Sequence, residues 1–169
     1  MTAPFEELKA AIREYGQAAF QNLFRSRALG EAIVADFHAF EGCPKENVAG
    51  VPAEGPFDPR NNYGEKAFSF AAREIIVLEP VRFGLCLIVG NVEDKGALWL
   101  RTAIAAEVAG DHFDVYVAHR PVIRMPLDFQ DKLTPIYEAV HHEFLETFTL
   151  QTNNFLEAGF RSRIGFLPG

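Results

Sequence analysis

Arginine, cysteine and tryptophan come into one row when the middle of the chain is folded as hairpins. Apolar residues alternate over 81–90, 97–108 and 113–119, and keeping their apolar faces together fixes the register. Val89 then falls opposite Leu98, and Val108 opposite Phe113. On the reverse face this register predicts a line of Arg73, Cys86, Arg101 and Arg120, with Trp99 and Ile88 beside it. Guanidinium groups at strand spacing repel one another unless an anion or carboxylates lie among them, and their planar forks suit carboxylate or phosphate. Gly84, Ala103, Ala105 and Ala118 are small enough to leave a shallow floor. The expected chemistry is anion binding by Arg73, Arg101 and Arg120, with Trp99 and Cys86 in the same surface. The competing arrangement is a helix lying on the small residues and supplying glutamates to the arginines. Arg73 depends on a first hairpin with Leu78 opposite Val81, and that register also turns Glu74 toward the core.

Other constellations are weaker. Arginines beside Cys86 would lower its pKa, yet no histidine lies near it in this register to act as a base. Glu107 and Asp114 face one another across a ladder, which is unfavourable unless solvent or a cation separates them. Glu138-x-x-His141 matches half of a di-iron helical motif, but His141 and His142 stand about 100° apart on a helix and cannot share an ion easily. Asp36 and His38, two residues apart on a helix, point away from each other. The sequence holds no glycine-rich phosphate loop, nucleophile elbow or paired-cysteine motif, so no metal and no cofactor is expected.

The elements that position these residues follow from periodicity. Pro4, Glu6 and Glu7 suit the start of a helix. Phe5, Leu8, Ile12, Tyr15, Ala19 and Leu23 recur at helical spacing, and Arg25 and Arg27 read as the helix end. A second helix is expected from about Ala28 to Phe40, stopped by Gly42. From Gly42 to Gly64 the periodicity vanishes amid four prolines and four glycines, a long irregular segment (about 42–66) that is the first place to look for function. Strands are expected over Phe68–Leu78, Val81–Gly90, Ala97–Val108 and Phe113–His119, joined by loops short enough for hairpins. Pro121 and Pro126 end the sheet in this reading. Thr134-Pro135 opens a last helix, with an apolar stripe to about Ala158. The whole chain, 1–169, reads as one α+β domain: two N-terminal helices, the irregular segment, a four-stranded antiparallel meander and a C-terminal helix on the sheet.

Composition bounds the function classes. A net charge of −7 argues against nucleic acid, which needs a cationic face, while leaving room for a local arginine cluster. The longest apolar stretch is too short to cross a bilayer and the N-terminus lacks a signal pattern, so a soluble cytoplasmic protein without a membrane partner is expected. Two cysteines are too few for a disulfide framework. Sixteen phenylalanines against one tryptophan point to a large aromatic core or an apolar interface, and hence to a homodimer. The expected function is a non-catalytic ligand-binding or interaction module with a mixed arginine and aromatic sheet face. The alternative is a small enzyme acting on an anionic molecule held by Arg101 and Arg120.

Overall fold

The computed structural model describes residues 3–70, 76–154 and 164–167. Helix α1 runs without interruption over Pro4–Glu41. Pro4 occupies the first turn, and Gly42 ends the helix in the left-handed region (φ 77°), where its N–H and that of Cys43 donate to the His38 carbonyl at 2.8 and 3.1 Å. One helix therefore replaces the two expected. The stripe that docks α1 on the sheet passes through Ala19, Asn22, Ser26, Leu29, Ile33 and Phe37, all buried. Asn22 and Ser26 are polar, which hides the continuity of the stripe from a hydrophobicity reading. Gly30 does not break the helix; it admits the Phe68 ring, whose Cε1 would lie 2.5 Å from a Cβ at that position.

The sheet is antiparallel, in the order β1 (Val48–Val51), β2 (Val81–Val89), β3 (Leu98–Ala109), β4 (His112–Val117), β5 (Ile123–Pro126), with β6 (Ile164–Phe166) paired to the start of β3. The registers of β2 with β3 and of β3 with β4 agree with the hydrophobic pattern, including Val89 opposite Leu98, Cys86 opposite Arg101 and Val108 opposite Phe113.

The first strand expected, Phe68–Leu78, is not the neighbour of β2. Residues 71–75 lie outside the described region, and the described ends of that span, Phe68–Phe70 and Ile76–Leu78, are not strand. β1 pairs there instead, with Ala49 opposite Cys86 and Val51 opposite Gly84. Its four residues carry too little pattern to be seen in a stretch rich in proline and glycine. Nor do Pro121 and Pro126 end the sheet. Ile123–Pro126 forms the far edge strand, where the missing N–H of proline is tolerated.

Helix α2 (Thr134–Asn154) and α1 cover the same face of the sheet. Leu29, Ile33 and Phe37 from α1 meet Ile136, Val140 and Phe144 from α2 over Phe83, Leu85, Ile104, Phe113 and Val115 in one cluster. The Phe37 ring lies 5.6 Å from Tyr137 and 6.3 Å from Phe144. Two buried asparagines lock this arrangement. Asn22 Nδ2 donates to the Glu79 carbonyl (2.9 Å) while its Oδ1 accepts from the Val108 N–H (2.8 Å). Asn47 Nδ2 donates to the carbonyls of Ile88 and Gly90, both at 2.7 Å.

Candidate binding groove at the open edge of the sheet

β1 is an edge strand: it pairs with β2 on one side, and among the described residues no strand pairs with the other. In an antiparallel ladder alternate residues turn their N–H and C=O groups outward, so β1 presents unpaired backbone groups along its free edge. A cavity of about 790 Å³ opens on that edge. Val48, Ala49 and Gly50 form its floor, and three consecutive strand residues can all line one cavity only if it meets the strand edge-on. One wall is α1, through Glu31, Val34 and Ala35; the other is the segment 59–65. Gly50 keeps the floor close to the helix, since a Cβ there would stand 3.3 Å from Val34 Cγ2.

The second wall is held by the irregular segment, which folds back over the reverse face of the sheet. Arg101 Nη1 donates to the carbonyls of Pro52 (3.2 Å) and Gly55 (3.0 Å), and its guanidinium lies 4.2 Å from the Phe57 ring centroid. Phe57 in turn meets Trp99 edge-on at 4.8 Å. Arg60 reaches the turn after β2, donating from Nε to the Val92 carbonyl (3.3 Å) and from Nη2 to that of Asp94 (3.4 Å). Gly84 lets the crossing segment sit tight on β2; a Cβ there would lie 2.8 Å from the Pro52 carbonyl oxygen. The segment singled out for function thus builds a wall of the groove.

The rim is acidic. Among the described residues, Glu31, Glu46, Glu65 and Glu93 line the cavity against a single cation, Arg60. Glu31 and Glu65 each lie near Arg27, at 3.8 and 4.0 Å. The interior is apolar or weakly polar, with Val34, Val48, Phe68, Ile88 and Tyr63.

The expected arginine row is brought together only in part. Cys86, Arg101 and Trp99 do share the reverse face. Arg101 spends Nη1 on the two carbonyls rather than leaving it for a ligand, and burial pulls its pKa down from the ordinary value. Arg73 lies outside the described residues. Arg120 leaves the row: β4 ends at Val117, Ala118 adopts a left-handed conformation (φ 49°), and the Arg120 N–H donates back to the Val117 carbonyl in a turn. Its side chain meets α2, with Nε donating to Glu143 Oε2 at 3.0 Å and Nη2 in ion contact with Glu146 Oε1 at 2.8 Å, off the line of a hydrogen bond. For Arg120, a helix supplying glutamates is what the fold contains.

The remaining candidates resolve in the same way. Cys86 is 1% exposed, and burial pushes its thiol up to about 12, outweighing the lowering by Arg101 nearby. Glu107 and Asp114 do face one another, but Glu107 accepts from the Tyr116 hydroxyl (3.0 Å) and Asp114 lies 3.4 Å from His112 Nε2. His141 Nδ1 pairs with Glu41 at 2.9 Å and joins α2 to the end of α1, while Glu138 and His142 are exposed. Among the described residues no group of His, Cys, Asp and Glu could hold a metal ion, and no helix is long and apolar enough to cross a membrane.

No protein-family model, curated protein or solved structure matches the chain. The functional reading therefore rests on the groove itself.

Proposed function

We propose that the chain is a non-catalytic binding module, acting as a homodimer in the cytoplasm, that receives an extended basic segment along the free edge of β1. The observation that carries this reading is the meeting of an unpaired strand edge with an acid-rimmed cavity. An added strand would satisfy the outward backbone groups of Val48–Val51, and its lysines or arginines would meet Glu46 and Glu93 at the rim. Alternate side chains of such a strand would point toward Val34 on one side and Ile88 on the other. Two free cysteines fit a reducing compartment.

The competing reading is an enzyme or receptor for an anionic molecule at Arg101. It is weaker because Arg101 and Arg120 are held by different elements and have partners within the chain. Fluorescence anisotropy with a labelled peptide of alternating valine and lysine tests the proposal. We expect binding that weakens with salt and drops several-fold in the double variant Glu46→Lys, Glu93→Lys. Equal binding of a valine–glutamate peptide would overturn it.

A further inference from the structure

The first turns of α1 project beyond the body of the protein. Every described residue from Ala3 to Ala18 is exposed, and burial begins only at Ala19. Yet this arm is apolar along one side: Phe5 is 68% exposed, Leu8 62%, Ile12 69% and Tyr15 47%. These positions continue, at alternating spacings of three and four, the stripe of Ala19, Asn22 and Ser26 that is buried against the sheet. Tyr15 marks the junction, its hydroxyl accepting from the Leu78 N–H at 2.8 Å. A helix of this length is marginal in water unless its apolar face is packed.

We infer that the arm pairs antiparallel with the same arm of a second copy. The spacing is that of a helix–helix seam, and it is self-complementary. Setting Leu8 level with Ile12 of the second copy also sets Phe5 level with its Tyr15, so each large residue meets another. The alanines at 11 and 18 flank the stripe and let two helices approach closely. Charge permits it: the arm carries Glu6, Glu7 and Glu14 against Lys9 and Arg13, so it holds only −1 of the chain's −7. In this arrangement Glu7 stands level with Arg13 of the second copy. The stripe offers roughly 450 Å² of apolar side chain. Two such stripes bury roughly 900 Å² together, the low end for a specific interface, so the pairing is one that rises with concentration.

This inference rests on the homodimer proposed above and gives it a location; it is independent of the groove. Light scattering at tens of micromolar on the full chain, alone and as Ile12→Asp, separates the two. We expect a dimer that the substitution converts to monomer, with the body still melting cooperatively because Ile12 touches none of the core. A monomeric parent chain overturns both the homodimer and its seam. A dimer that survives Ile12→Asp overturns the seam alone. Hydrogen exchange on the unmodified chain tests the same point without a variant. Amides 8–18 should gain protection with concentration, whereas protection in dilute monomer would mean that the chain covers its own arm, and the inference falls.

Discussion

Arg120 and Glu143 form an ion pair at 3.0 Å between the turn after β4 and the inner side of α2, with only 6% of Glu143 exposed. The pair binds a helix to the sheet and takes Arg120 away from Arg101. Removing one member of such a pair leaves the other charge poorly solvated. Arg120→Leu should therefore cost about 1–3 kcal/mol in denaturant melts, a loss that phosphate or sulfate does not alter. A variant as stable as the parent, with a parent chain stabilised by phosphate, would favour an anion site at Arg120.

Alkaline stability should be governed by buried acids that stay protonated. Burial raises Cys86 from 9.0 to about 12 and Tyr137 from 10.0 to about 12. The unfolded chain releases these protons near pH 9–10, whereas the folded chain keeps them. Stability is thus fully present below pH 9 and falls as the pH climbs toward 12. Cys86→Ala and Tyr137→Phe should each flatten the decline of melting temperature over that window. The Tyr137 hydroxyl is buried without a hydrogen-bond partner among the described residues, so Tyr137→Phe should be neutral or stabilising by up to about 1 kcal/mol at pH 7.

Asn22 joins three parts of the fold that are distant in sequence, namely α1, the Glu79 carbonyl and the Val108 N–H. Asn22→Leu fits the helix but removes two part-buried hydrogen bonds, to the Glu79 carbonyl and from the Val108 N–H. It should cost about 2–3 kcal/mol in urea melts. A cost below about 0.5 kcal/mol would show that water replaces both bonds.

The irregular segment should divide into protected and open parts under hydrogen exchange. Residues 48–51 are in the sheet, and Asn47, Phe57 and the carbonyls of Pro52 and Gly55 are fastened to it. We expect Ala49 and Val51 to exchange as slowly as the middle of β2, and Arg60–Asn62, exposed on the surface, to exchange fast. Uniformly fast exchange over 47–62 would contradict the wall built by Arg101.

These relationships differ in how far residue pattern discloses them. Period-two alternation fixed the registers of β2, β3 and β4, because one face had to stay apolar, and so placed Cys86 opposite Arg101 and Glu107 opposite Asp114. Alternation could not disclose where a strand stops. Continued past Val117, the register would bring Arg120 opposite Arg101, but the left-handed turn at Ala118 redirects it, and nothing in an alanine announces that conformation. Helix continuity was hidden for the opposite reason, since Asn22 and Ser26 are polar in composition and buried by their hydrogen bonds. β1 is a four-residue edge strand, and a longer apolar span after residue 68 reads as the neighbour of β2 in its place. The groove depends on that missed strand. Only the proline and glycine content of 42–64 pointed to the place.

Amide chemical shifts of Ala49 and Gly50 test the central proposal most directly, because these residues form the floor at the free strand edge. Titration with the valine–lysine peptide should move both resonances in a saturable manner, together with Val34 on α1 and Ile88 on β2. The acidic counterpart should leave them in place. Saturable binding of the lysine peptide with Ala49 and Gly50 unmoved would contradict strand addition at β1.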